Sequence, residues 1–159
     1  MTQVEVSTQI AAAPEQVWEL IGDPTRMGEW SPECRELAWL GGVSAPGVGA
    51  RFTGRNRNGW RRWTTRCTIV RHEPGRDIAW DVSLFGAPVA RWAYRIEVRE
   101  SDSTCRLVEV FQDRRSRVSA PLLSLARGVK DVEAHNRASM QHTLAQIKSA
   151  AEGTRPSCA

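Results

Sequence analysis

No apolar run approaches the roughly 20 residues of a membrane-spanning helix, and the first residues lack the basic start and apolar core of a signal peptide, so a cytoplasmic protein with no membrane span is expected. The cysteines, Cys34, Cys67, Cys105 and Cys158, show no CxxC spacing, which favours free thiols over a disulfide framework or a zinc site. Ser, Cys and His never fall at a spacing that implies a catalytic triad. His135 and His142 lie seven residues apart, two helical turns, with no third ligand in view. Neither a metal nor a cofactor is therefore expected. Lysine is scarce as well: Lys130 and Lys148 stand alone among 22 basic residues, the rest being Arg. That skew reads as a codon bias toward GC-rich DNA, and the net charge of +4 is discounted as a sign of nucleic-acid binding.

What the 159 residues do contain is an ordinary globular balance, 41% hydrophobic and 25% charged, enough to bury a core without staples. Residues 1–152 read as one domain and 153–159 as a loose tail. Val4, Val6, Thr8 and Ile10 alternate with Gln3, Glu5, Ser7 and Gln9, the period of a strand with one wet face. The run PEQVWELI then puts Val17, Trp18 and Ile21 on one side of a short helix, and a second short turn covers 25–30. From 33 onward the pattern is strands separated by turn residues, with a Gly/Pro loop at 41–49.

Two turns set the expected register. Asn58-Gly59 as a two-residue hairpin loop pairs Arg57 with Trp60, Asn56 with Arg61, Gly54 with Trp63 and Phe52 with Thr65. One face then carries Phe52, Asn56, Arg61, Trp63, Cys67 and Ile69, and the other Arg51, Arg55, Arg57, Trp60, Arg62 and Arg66. A two-residue loop at Pro74-Gly75 pairs Ile69 with Trp80, Cys67 with Val82 and Thr65 with Leu84, so the same face stays apolar through both hairpins. The next strand points Ala90, Trp92, Tyr94, Ile96 and Val98 one way and Arg91, Arg95, Glu97 and Arg99 the other. After a turn at 101–103, the last strand, 104–115, leaves two choices open. Either Leu107, Glu109 and Phe111 face inward, burying a carboxylate, or Val108 and Val110 do.

The segment 119–151 carries Leu122, Leu125, Val129, Val132, Met140, Leu144, Ile147 and Ala151 every three or four positions, the apolar stripe of one long helix. Ser119 stands as its N-cap, Pro121 in its first turn and Gly153 as its stop. Asn136 interrupts the stripe. A buried amide without a partner costs about 1–3 kcal/mol, so Asn136 should meet a polar group, a water or a ligand. The sum is an α+β architecture: a curved antiparallel sheet of about seven strands, two short helices after the first strand, and a C-terminal helix that the sheet wraps.

This order, with DPTRMGEWSPEC at 23–34, PGVGARFTGRNRNGWRRW at 46–63, EPGR at 73–76 and RWAYRIE at 91–97, resembles the polyketide cyclase/dehydrase branch of the START-like (SRPBCC) superfamily. The likeness covers nearly the whole chain and is closest to the small single-domain members common in actinobacteria. It implies the helix-grip fold, with a cavity between sheet and C-terminal helix that members use for lipids, sterols, quinones, hormones or polyketides. Some members catalyse ring closure or dehydration there and others bind or carry. The superfamily has no universal catalytic motif to carry over.

The inward residues Trp63, Trp80, Trp92 and Tyr94 would face Val132, Asn136 and Met140 across that cavity, a mostly aromatic wall with a few polar points, suited to a flat hydrophobic ligand. The alternative is that these rings simply fill the cavity as core. For chemistry the candidates are Tyr94 as a hydroxyl donor, Glu109 as a base if its strand faces in, and Asn56 with Arg61 as carbonyl binders at the hairpin mouth. A buried carboxylate beside tryptophans would have its pKa raised. A cyclase or dehydratase and a non-catalytic lipid or quinone carrier or sensor both remain open, as a monomer or a homodimer. The outward arginines 51, 55, 57, 62 and 66 with Trp60 could follow a phosphate backbone, but a solvated sheet face explains them as well, and no nucleic acid is expected.

Overall fold

A computed structural model describes residues 2–98 and 103–153. Its elements run β1 (Gln3–Ile10), α1 (Pro14–Ile21), a 3-10 helix (Pro24–Glu29), β2 (Cys34–Trp39), β3 (Arg51–Asn58), β4 (Arg61–Glu73), β5 (Asp77–Leu84), β6 (Ala87–Val98), β7 (Cys105–Asp113), α2 (Ala120–Arg127) and α3 (Val132–Gly153). The strands form one antiparallel sheet in the order β1-β7-β6-β5-β4-β3-β2, so the first strand closes against the last. This is the helix-grip arrangement. The turn expected at 101–103 and the tail from 154 fall wholly or largely outside the described residues.

The strand patterns survive with two adjustments. Asn58 pairs with Arg61, Asn56 with Trp63 and Phe52 with Cys67, so the first hairpin is shifted by two residues from the expected pairing. Its loop is Gly59-Trp60, with Gly59 at φ +62 in the first central position, where the turn needs a residue free to be left-handed. A two-residue slip preserves every face, because side chains alternate with period two. In the second hairpin Ile69 does pair with Trp80 and Cys67 with Val82. There the loop holds three residues, Pro74, Gly75 and Arg76, and a bulge between Ile69 and Arg71 absorbs the extra one.

On β7 the inward set is Leu107, Glu109 and Phe111, which settles the choice left open by the sequence. Val108 and Val110 instead join Ala79, Ala93 and the half-buried Val70 in a small cluster on the outer face. The same outer face carries Arg91 and Arg114 paired to Asp81, and Arg106 paired to Glu97. Long Arg stems can cover such a patch while their charged ends stay wet.

The expected single helix over 119–151 is two helices. Leu122 and Leu125 are exposed, and the residue that α2 buries is Leu123. Gly128 ends α2 in the left-handed conformation (φ +71), with Gly128 N–H donating to the Leu125 carbonyl and Val129 N–H to the Ser124 carbonyl at 3.0 Å. Asp131 then caps the start of α3 by accepting from Ala134 N–H at 3.0 Å. The stripe holds along α3, where Asn136, Met140, Leu144, Ile147 and Ala151 are all buried.

Candidate functional site

A cavity of about 150 Å³ lies between the inner face of the sheet and the helices α2 and α3. Its wall is aromatic: Trp80 stacks on Tyr94 with ring centroids 5.9 Å apart, Phe52 meets Trp80 edge-on at 6.1 Å, and Trp92 leans on Phe111 at 4.9 Å. A dry cavity of roughly 150 Å³ accepts one benzene-sized ring.

Glu109 and Tyr94 face each other across neighbouring strands, because β6 pairs with β7 at that position. The Tyr94 hydroxyl donates to Glu109 Oε1 at 2.8 Å. Burial pushes the Glu109 carboxyl up to about 8, against the downward pull of the Tyr94 hydrogen bond. Burial and the adjacent Glu109 raise Tyr94 well above the ordinary phenol range. At neutral pH Glu109 is therefore mostly an uncharged acid. Its Oε2 has no hydrogen-bond partner, and neither does Nδ2 of Asn136 on α3; these are the two buried side-chain polar atoms without one among the described residues. Both residues line the cavity. Each orphan costs about 1–3 kcal/mol, so the pair marks where a ligand or water would be recognised. Cys34 and Cys67 also line the cavity, but burial pushes both thiols up to about 12, far from a reactive thiolate.

Four further residues close the cavity. On α2, Leu123 points into it, and the Arg127 guanidinium lies 5.5 Å from the centre of the Trp63 ring. Arg127 also donates to Glu33 Oε2 at 3.1 Å, while Glu33 Oε1 meets Nε2 of His135. Asn58 Nδ2 donates to the Arg127 carbonyl at 3.0 Å, and Arg115 donates to Ser124 Oγ at 2.7 Å, so α2 is tied to β3 at its last residue and to the segment after β7 at its middle. Glu33, Arg115, Leu123 and Arg127 are missing from the residues expected from sequence. Gly128 followed by Asp131 is the signal that would have split the helix and placed Leu123 and Arg127, four apart, on one inner face. Nothing in the local pattern singles out Glu33.

Of the expected residues, Asn56, Trp63, Trp80, Trp92, Tyr94, Glu109 and Asn136 line one cavity together. Arg61, Val132 and Met140 lie outside its lining. Met140 is committed to the core and Val132 packs against the edge of that core. Arg61 turns back over Trp60, 4.5 Å from its ring centre, and crowds Gly128, where a Cβ would come within 2.6 Å of Nη1. Trp60 thus stacks with Arg61 and not with Arg57. Asn56 spends its amide on the Gly54 carbonyl at 3.2 Å and Thr65 Oγ1 at 3.3 Å.

The family model described as polyketide cyclase / dehydrase and lipid transport matches residues 1–152. The chain belongs to this family. The Polyketide_cyc-like protein Cgl2372 from Corynebacterium glutamicum is 32% identical over 92% of this chain and 88% of its own, with a TM-score of 0.56. The ZhuI aromatase/cyclase from Streptomyces sp. R1128 shares 19% identity with a TM-score of 0.66, over 95% of this chain and 93% of its own. XoxI from Bacillus cereus shares 17% with a TM-score of 0.70, over 95% and 96%. The last two likenesses concern the fold. No curated protein matches the chain.

Proposed function

We propose that this member of the polyketide cyclase/dehydrase family binds a hydrophobic molecule bearing an aromatic ring and a carbonyl oxygen, and dehydrates or cyclises it with Glu109 as the proton-transfer group. The observation that carries this reading is the buried Tyr94–Glu109 pair, whose Oε2 is left without a partner in an aromatic cavity. A carboxyl raised to about 8 holds its proton at neutral pH but gives it up little above it, so the group can both give and take a proton. In a dehydration, Glu109 Oε2–H protonates the departing hydroxyl as its C–O bond breaks, and water leaves. The resulting carboxylate, held by the Tyr94 hydroxyl, takes the proton from the neighbouring carbon as the C=C bond forms. Asn136 Nδ2 donates to the adjacent carbonyl and stabilises the enol-like charge. In a ring closure the same groups remove a proton from the attacking carbon and return it to the carbonyl oxygen that becomes a hydroxyl.

The aromatase/cyclase names of structural neighbours support this reading, and the family's lipid-transport description supports a second, in which the cavity only carries its ligand. Native mass spectrometry of the purified chain, followed by extraction, identifies what is bound. With that compound or an analogue in hand, E109Q and Y94F separate the two readings. An enzyme loses turnover in E109Q while keeping most of its affinity, whereas a carrier has no turnover to lose. A cavity that is empty, with tryptophan fluorescence indifferent to aromatic ketones and lipids, would overturn both.

A further inference from the structure

The turns that surround α2 leave large apolar side chains in water. Trp60 in the β3–β4 turn is 79% exposed and Phe85 in the β5–β6 turn 95%; Val118 before α2 is 90% exposed, and Leu122 and Leu125 on its outer side are 69% and 70%. The antiparallel order brings these to one end of the sheet, because β3, β5 and β7 all finish there and β4 and β6 both start there. The other exposed large apolar residues, Val43, Val48 and Val98, belong to the opposite end. Phe85 is the one described non-glycine residue with positive φ, +51, so its turn is held in a disfavoured conformation with the ring outside.

Charge follows the same geography. The stretches 55–66, 82–91 and 114–130, which build this end, hold 11 of the 22 basic residues and none of the 18 acidic ones, leaving the rest of the chain at a formal −7. Some of the eleven are paired: Arg55 to Glu36, Arg91 and Arg114 to Asp81, Arg115 to Asp113, and Arg127 to Glu33. Arg57 is exposed and bonds the Gly59 carbonyl, and Arg62 is exposed beside it.

We propose that this end of the molecule docks on an anionic lipid surface, with Trp60, Phe85, Leu122 and Leu125 entering the interface and the arginines meeting the headgroups. An eight-residue helix with Leu122 and Leu125 outward and the exposed Arg117 and Lys130 just beyond its two ends is the pattern of an interfacial helix, and basic side chains near an anionic leaflet add attraction that falls off within a Debye length. No helix among the described residues is long and apolar enough to cross the bilayer, so the contact is peripheral. A nucleic acid would be served by the arginines and one stacking ring but gains nothing from Leu122, Leu125 and Val118. Because α2 is also the element that covers the cavity through Leu123, an interface that draws its outer leucines away from water opens the cavity toward the lipid. The surface does not depend on what Glu109 does.

The test is sedimentation of the full chain with phosphatidylcholine vesicles, with and without phosphatidylglycerol, at low and high salt. The expected result is retention on the anionic vesicles that weakens in high salt and drops roughly tenfold or more in L122S/L125S, with V48S at the far end unchanged. E109Q should bind vesicles like the parent chain, which keeps this result separate from any failure of the cavity chemistry. W60S repeats the measurement should the double variant fold poorly. Three outcomes overturn docking: no retention on either vesicle, retention that L122S/L125S and W60S leave unchanged, or a dimer in solution that L122S/L125S dissolves, which would assign the surface to a second copy of the chain.

Discussion

Asp81 and Glu109 both sit opposite a residue of β6, one on β5 and one on β7, yet they are opposite kinds of acid. Asp81 faces outward and accepts from Arg91 at 2.6 and 3.0 Å and from Arg114 at 2.8 Å, and these partners hold its carboxyl below the ordinary value of 3.8. Glu109 faces inward, has one neutral donor and an unpartnered oxygen, and burial carries it up to about 8. The parity of a strand position decides which face a side chain takes, and the face decides whether a carboxyl is a permanent anion or a proton carrier.

The largest difference between the two faces should appear on truncation. Leu107→Ala removes a fully buried inner side chain two residues from Glu109 and should cost about 2–5 kcal/mol in urea unfolding, while Arg91→Met on the outer face should cost less than about 1 kcal/mol. Equal losses would mean that the outer face is as much a core as the inner.

Next in size is the pH dependence. Glu109 titrates near 4.5 when unfolded and near 8 when folded, so the native state holds the extra proton between these values. Its contribution is therefore complete below about pH 4.5 and is lost as the pH rises toward 8, at up to about 1.4 kcal/mol per pH unit. Glu109→Gln should flatten that slope and be the more stable protein at the alkaline end. A slope unchanged in the variant would assign it to other groups.

Tyr94→Phe should cost about 1–3 kcal/mol by leaving Glu109 Oε1 without its donor. Since the Tyr94 hydrogen bond is what lowers the carboxyl, the same change should move the alkaline limb of the pH–stability curve upward. Unchanged stability and an unmoved limb would mean that the pair is not coupled.

Smallest is Asp81→Asn, expected to cost less than about 1 kcal/mol at neutral pH because its ion pairs are partly solvated. Its sign is opposite to that of Glu109: the depressed carboxyl stabilises above about pH 3.8 and the benefit is lost on acidification through its folded value. Asp81→Asn should therefore blunt acid unfolding and leave the alkaline slope untouched.

Much of this was legible in the residue pattern. The alternation of β1, β5 and β6 and the inward placement of Trp80, Tyr94 and Cys67 follow from period-two spacing, which survives even the two-residue slip at Gly59. Seven of the ten expected site residues share the cavity. Arg61 stays out of the cavity although its strand position points inward, because its length lets it fold back over Trp60. Leu122 and Leu125 lie outside the core because the helical stripe does not run through Gly128, where the chain turns left-handed and restarts the phase.

Local pattern alone is enough for the order of elements, the antiparallel sheet with one apolar face, and the stripe of α3, because each depends on the spacing of neighbours along one strand or helix. Which face of β7 lies inward, whether Glu109 is ionised, that Asn136 Nδ2 lacks a partner, and that α2 is clasped by Glu33 and Arg127 all depend on groups brought together from distant parts of the chain. Glu33 and Arg127 are 94 residues apart. Burial and pairing are properties of that assembled neighbourhood, so the tertiary structure alone decides them.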